Sequence, residues 1–259
     1  MLQKKGYQVI KNVIPKYFFK NHIQTLAHRF SDITNIKLKD KPFTNQKLSK
    51  EFSEHLIKLK ISNPKLFGFL YDSIQSSVTL HSILTSEKLI SMLSKVSGIP
   101  EALFSTSGHI TRIDVPKDKK NIYSWHQETS YYRQNINSDH CYFIWIPFFN
   151  IKKNKGSIIL AEKSHLDGYI KTKLKRKKLH SDQRTIDNKI LKKYKKYSPK
   201  MSMGDICICK FNLIHKSGID NTNRVRLTAI GRYHFSKNPI FRPFRYTLKF
   251  NDLFLKKKV

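Results

Sequence analysis

A mainly β fold, a sheet sandwich or barrel buttressed on one side by α-helices, is what this sequence predicts. Two observations carry that expectation. Apolar side chains recur at helical spacing between Tyr17 and Val96, and from His109 onward the pattern changes to short strand-like runs. A third is length: at 259 residues the chain can bury a substantial core and lies near the upper size for one domain, so a single domain over 1–259 is expected.

The opening run from Gly6 to Ile14 alternates apolar and polar positions and stops at Pro15, which reads as a short strand. Helices are expected over Tyr17 to Phe30, Leu56 to Leu70 and Ile83 to Val96, the last closing at Ser97-Gly98. Strands follow over His109 to Val115, Tyr142 to Phe149, Ser157 to Leu160, Ile206 to Phe211 and Arg226 to Phe235. Between them lies one low-complexity patch, Lys171 to Lys200, with 13 Lys or Arg against only Asp182 and Asp187. Dense like charge marks an exposed segment, so a solvated, partly helical insertion is expected over about 171–200. Its position, between Glu128 and His215 in the chain, also suits a loop that covers a site mouth and recruits an anion. No internal repeat or Gly/Ser-rich linker argues for a second domain.

Hydrophobic residues make up 39% of the chain and aromatics 12%, which excludes a composition-driven disordered protein despite the heavy charge. Fifty Lys and Arg against 18 Asp and Glu give a formal net charge of +32. Biased codon usage accounts for abundant lysine but not for the shortage of acids. Such a field attracts anions, so the expected partners are nucleic acid, an acidic surface, an acidic glycan, or a phosphorylated or CoA-linked substrate. Three cysteines, Cys141, Cys207 and Cys209, are too few for a disulfide framework and fit a reducing compartment. Cys207 and Cys209 share a strand face, where free cysteine packs as a small hydrophobe. Met1 to Lys11 has no signal-peptide core and no stretch is long enough to span a bilayer, so the cytoplasm is the expected location.

The chemistry concentrates at His126 and Glu128. If Tyr123 to Glu128 is extended, the period of two sends both side chains to one face and Gln127 to the other. A second imidazole from a distant strand would complete two nitrogens and one oxygen on one side of a metal, a set that suits non-haem Fe(II) with open positions. Trp125 then points away from His126 and is expected in the core. His165 after Ser164 is expected to stabilise a turn.

Ser124-Trp125-His126-Gln127-Glu128 is followed by Trp145 and Pro147, Gly156-Ser157, Ser164-His165, Gly168, Gly204-Asp205, and then His215, Ser217, Asn221 and Arg226. In order and spacing this resembles the phytanoyl-CoA dioxygenase family of Fe(II)- and 2-oxoglutarate-dependent oxygenases, and the Gly6 to Pro15 opening looks like that family's N-terminal strand. The likeness is thinnest before His109 and over the basic insertion. It implies a double-stranded β-helix, a cupin-like jelly roll with iron at its mouth and helices outside. His126, Glu128 and His215 match the metal ligands. Arg226, eleven residues after His215, matches the arginine that pairs with the distal carboxylate of 2-oxoglutarate, a task that suits the rigid guanidinium fork. Strand parity puts Arg224, Arg226 and Arg232 on one face, and only the spacing from His215 selects Arg226. Ser217, Trp145 and Thr111 match residues that line the cosubstrate pocket.

The sequence departs from the family in two places. Glu128 stands where Asp is usual, which adds one methylene but keeps a hard oxygen donor. Glu162-Lys163-Ser164-His165 replaces the usual Pro-Gly-Ser-His. Because Glu128 fills the carboxylate position, the related halogenase arrangement, which leaves it vacant, is excluded. The implied activity is hydroxylation of an organic substrate with Fe(II), 2-oxoglutarate as cosubstrate and O2, releasing succinate and CO2. Members of the family act on acyl-CoA thioesters, amino acids, osmolytes and natural-product scaffolds; the positive charge favours a small-molecule or conjugated substrate that is anionic or anion-tagged. The competing expectation is a non-catalytic basic jelly roll that binds nucleic acid or another polyanion, although no helix-turn-helix, zinc-finger or RNP-like motif is present.

Overall fold

The computed structural model describes residues 1–44, 47–116, 118, 122–132, 140–151, 156–177, 180–218 and 223–235, so Asn221 lies outside the described residues. One helical turn, α1 (Leu2–Lys5), leads into β1 (Tyr7–Ile10), and α2 (Lys16–Thr34) starts directly after Pro15. A two-residue hairpin, β2 (Phe43–Thr44) and β3 (Lys47–Leu48), precedes four helices: α3 (Lys50–Ser62), α4 (Pro64–Gln75), α5 (Val78–Leu84) and α6 (Glu87–Ser97). The expected helix from Leu56 to Leu70 is therefore two. Pro64 cannot extend α3, because it lacks an N–H and its ring clashes with the preceding turn, but it suits the first position of α4, which Asn63 caps by accepting from Leu66 N at 3.0 Å. The expected Ile83 to Val96 helix likewise divides between α5 and α6, while its stop at Gly98 holds, with φ 76° in the left-handed region.

From there the chain is mostly β: β4 (Phe104–Asp114), β5 (Cys141–Pro147), β6 (Ile159–Ala161), β7 (Lys173–Lys177), β8 (His180–Thr185), the short helix α7 (Asn188–Leu191), β9 (Lys196–Tyr197), β10 (Ile206–Lys210), β11 (His215–Lys216) and β12 (Arg226–Phe235). A five-stranded antiparallel sheet has the order β1-β10-β5-β12-β4, and a three-stranded one the order β11-β6-β9.

Strand alternation gives the large sheet two different faces. Ile144 and Ile146 of β5, Ile206 and Ile208 of β10, and Leu227 and Ala229 of β12 pack with the helices in one core. Phe143, Trp145, Cys207 and Cys209 face the other way and join Leu160 of β6 in a second core between the two sheets. The two thiols are buried, free and 3.6 Å apart, packed as expected. The basic segment differs from expectation in part. Its Lys173, Lys175, Lys192, Lys193, Lys195 and Lys196 are exposed and α7 gives it one helical turn, as expected, but it also forms a β-hairpin, β7 with β8, and buries Gln183, Ile186 and Leu191. Among the described residues no helix is long and apolar enough to cross a membrane.

Candidate metal centre

His126 lies outside any named strand and pairs with His215 through an antiparallel bridge, His126 N to His215 O and His215 N to His126 O, both 2.9 Å. Glu128 N donates to Phe211 O at 3.0 Å, and Glu128 opens a 3-10 turn that runs to Ser130. Of the expected extended stretch from Tyr123 to Glu128, His126 makes a β-bridge, Gln127 is extended (φ −115°, ψ 146°) and Glu128 already belongs to the turn. That one extended residue is enough to send its neighbours' side chains one way and its own the other. Gln127 is buried; its Nε2 donates to Asn212 O at 2.6 Å and Gly168 O at 2.8 Å, and its Oε1 accepts from Ile170 N at 2.9 Å.

One ligand atom from each of His126, Glu128 and His215 lies within 4.8 Å of the others, and all three residues are buried. His126 Nδ1 lies 2.7 Å from Ser124 O and His215 Nδ1 lies 3.0 Å from Leu213 O. A carbonyl oxygen only accepts, so each Nδ1 carries the proton and each Nε2 keeps a lone pair for a metal. Glu128 Oε1 is 3.6 Å from His215 Nε2, while Oε2 accepts from Arg232 Nε at 2.7 Å. Burial, reinforced by neighbouring His215, pushes His126 down to about 3, so its imidazole is neutral. For Glu128, burial pulls upward, but the Arg232 guanidinium outweighs it and holds the carboxyl well below the usual carboxylate range. His126 and Glu128 are therefore in the deprotonated states that metal binding requires.

The triad opens onto a cavity of about 210 Å³ whose wall includes Trp145, Ser217, Arg226, Thr228 and Arg232. Arg226 stands on β12, but its fork is closed on Asp114: Nε and Nη2 donate to Oδ2 at 3.1 and 2.7 Å. Nη1 donates to the Gly156 and Gly218 carbonyls. Asp114 also accepts from Arg112 Nη2 at 2.7 Å, and Arg112 lies 5.2 Å from the Tyr123 ring centre, in the cavity wall. Burial would raise Asp114, yet Arg112 and Arg226 together hold it low. Ser217 Oγ accepts from Tyr123 N, and Ser217 N donates to Tyr123 O, both at 3.2 Å, which fixes the segment that leads to His126. Arg224 is exposed ahead of β12 and does not line the cavity.

Thr111 is a correction. It does not line the cavity; it lies on the helix side of β4, where its hydroxyl meets His22 Nε2 at 2.8 Å. The reason is parity, since Ile110 and Arg112 on either side of it face the cavity. Stepping by two from Arg226 along β12 reaches Thr228, Ile230 and Arg232, all in the wall; Arg232 was expected on this face, whereas Thr228 and Ile230 were not singled out from the sequence. Thr228 Oγ1 is buried there with no hydrogen-bond partner among the described residues.

The surroundings brace the ligands. Gln183 of β8 accepts from Ser124 N and donates to Ile122 O, both at 3.3 Å, and Ile186 N donates to Trp125 O at 2.9 Å, so the basic hairpin lies beside the chain that carries His126. Trp125 is half-buried against Ala161, Ile186 and Ile214, with Lys216 Nζ 5.0 Å from its ring centre. Ser164 Oγ accepts from Ile214 N at 2.8 Å, and His165 Nε2 pairs with Gln3 O at 2.9 Å, the structural work expected of that turn.

No family model matches this sequence, and no curated protein matches it. Solved structures match in shape. The non-heme monooxygenase ThoJ aligns with a TM-score of 0.59 at 12% identity, over 91% of this chain and 76% of its own. The non-heme alpha ketoglutarate dependent epimerase SnoN from nogalamycin biosynthesis gives 0.57 at 10%, over 95% and 87%. This chain shares their fold. AviO1 from Streptomyces viridochromogenes Tue57 gives 0.55 at 13% identity, over 93% and 94% of the two chains. SnoN also has a structure in complex with Fe3+, alpha ketoglutarate and nogalamycin RO.

Proposed function

We propose that this protein is an Fe(II)- and 2-oxoglutarate-dependent oxygenase of the phytanoyl-CoA dioxygenase type, one jelly-roll domain over 1–259, that hydroxylates an anionic or anion-tagged organic substrate. The observation that carries this reading is the buried set of one ring nitrogen from each of His126 and His215 and one carboxylate oxygen of Glu128, gathered within 4.8 Å at the wall of a cavity. Two imidazoles and one carboxylate suit Fe(II) with positions left open. SnoN, with the same fold, holds Fe3+ and alpha ketoglutarate. When bound, Fe(II) with 2-oxoglutarate and O2 supplies the oxidising chemistry, with succinate and CO2 as by-products.

The chain's own residues hold and orient. His126 and His215 offer Nε2, with their rings fixed by the Ser124 and Leu213 carbonyls, and Glu128 offers an oxygen. Arg226, with Nε and Nη2 engaged by Asp114 and Nη1 by the Gly156 and Gly218 carbonyls, lends positive charge rather than a free fork to the subsite for the distal carboxylate of 2-oxoglutarate. Asp114 is shared between Arg112 and Arg226, so the three groups keep one net positive charge, and the unpartnered Thr228 hydroxyl is a further donor beside them. Ser217 fixes Tyr123, and Trp145 with Phe143 and Ile230 supplies an apolar wall that limits water. Lys216 belongs both to this cavity and to a shallow groove with Trp125, Lys196 and Tyr197, which supports an anionic group on the substrate. The free, buried Cys207 and Cys209 pair supports a reducing compartment such as the cytoplasm.

Anaerobic addition of Fe(II) and 2-oxoglutarate to the folded protein tests the reading. A weak visible charge-transfer band that disappears in His126→Ala is expected, and a silent spectrum would sink it. The second reading, a non-catalytic polyanion binder, draws on the exposed Lys173, Lys175, Lys192 and Lys195 around the hairpin. It expects nucleic-acid binding that weakens steeply with salt and is indifferent to His126→Ala. A succinate-release screen that sets anionic against neutral metabolites separates the two.

A further inference from the structure

We infer that Arg232 is a positioning residue that fixes which oxygen of Glu128 is offered to the metal. The inference rests on the proposed metal site and explains how glutamate serves there in place of aspartate. An extra methylene gives glutamate one more torsion, so an untethered Glu128 could turn its carboxylate to present either oxygen or both. Here one oxygen is already engaged. Arg232 Nε donates to Oε2 at 2.7 Å, whereas Nη2 reaches Oε1 only at 3.4 Å. The pairing is lopsided, and Oε1 is the oxygen turned toward His215 Nε2, at 3.6 Å.

Arg232 is itself held on its other sides. Its Nη1 donates to the Gly108 carbonyl, and its guanidinium lies 5.5 Å from the Tyr132 ring centre. That carbonyl is within reach because β4 carries an extra residue there: Ile230 pairs with Ile110, but Arg232 pairs with Ser107. The bulge needs glycine. Gly108 has φ +58°, and a Cβ on it would lie 2.3 Å from the Tyr132 hydroxyl oxygen. Both charged side chains are nearly excluded from water, 15% exposed for Arg232 and 4% for Glu128, so neither has solvent as a ready alternative partner. Held in this way, Glu128 contributes Oε1 alone, and the positions a two-oxygen carboxylate would crowd stay open for 2-oxoglutarate and O2.

The test uses Co(II) as a spectroscopic probe on the full chain, with no turnover required. Arg232→Met removes the fork and the charge; Arg232→Lys keeps the charge but not the fork. Circular dichroism and thermal unfolding establish that each variant is folded. The expected result is Co(II) affinity about 10- to 100-fold weaker in both variants, together with a changed position and intensity of the Co(II) visible bands, with lysine failing to restore the wild-type spectrum. Should Arg232→Met not fold, Arg232→Lys decides alone. Wild-type affinity and an unchanged spectrum in the folded variants overturn the inference while leaving the metal site standing. Absence of Co(II) and Fe(II) binding in the wild-type protein overturns both.

Discussion

Arg226 and Thr111 illustrate how one residue position separates a binding role from a packing role. Arg226→Lys keeps the charge but cannot hold Asp114 and the two glycine carbonyls at once; hydrogen bonds to charged groups contribute about 1.5–3 kcal/mol, so with the subsite misplaced 2-oxoglutarate should bind about 10- to 100-fold more weakly in a competition titration. Thr111→Val should leave that affinity unchanged and lower stability by about 1–3 kcal/mol in a denaturant melt, because it strips a buried partner from His22. His22 brings a pH dependence of its own. Burial, with help from Arg29, lowers it to about 3. Below the ordinary histidine value of about 6.5 the unfolded chain takes up a proton that the folded chain refuses. Stability therefore falls with decreasing pH between those values, by about 1.4 kcal/mol per unit for this group, and His22→Gln should remove that share of the slope. At this scale spacing made the His126 and Glu128 pair legible, because it puts an imidazole and a carboxylate on one face, while His215 entered through the family resemblance. The roles of Arg112, Asp114 and Arg232 were not legible, since they come from ion pairs with partners brought together by the fold, Asp114 with Arg226 of β12 and Arg232 with Glu128, and parity by itself admits several arginines.

The two edge-side strands β4 and β12 convert alternation into chemistry. Because β12 alternates without interruption, every second residue from Arg226 to Arg232 faces the cavity, while the extra residue in β4 turns one carbonyl toward Arg232. Gly108→Ala tests that element. A left-handed backbone costs a residue with a side chain about 1–2 kcal/mol, and the added carbon meets the Tyr132 hydroxyl oxygen at 2.3 Å. Chemical unfolding should show a loss of at least that size, and Co(II) titration should show weaker binding. The strands over Ile206–Lys210 and Arg226–Phe235 were readable from their period-two pattern. The break at Asn63-Pro64 was not read, because apolar spacing runs across it and proline is as much at home in the first turn of a helix as it is disruptive in the middle. The basic hairpin was not read because its structure comes from pairing β7 with β8 and from burying Gln183 and Ile186, which charge density conceals.

Across the whole molecule, the scarcity of acids has a structural counterpart. Glu128, Asp114, Glu162, Asp167, Asp187 and Asp205 are each paired with a lysine or arginine, so they offset little of the remaining positive field. The sign of that field was legible from composition; its arrangement around a groove that shares Lys216 with the cavity was not, because it depends on how Lys196 and Lys216 are brought together by β6, which lies between β9 and β11. One buried side chain links this outer region to the ligands. Gln127 spaces His126 from Glu128 and, on its far side, holds Gly168, Ile170 and Asn212. The loop that leads into the basic hairpin is thereby a remote reporter of the metal. Hydrogen exchange at the Ile170 amide should slow when Co(II) binds and should become indifferent to Co(II) in Gln127→Ala. If that holds, site occupancy could be followed from the protein surface by an amide that touches no ligand.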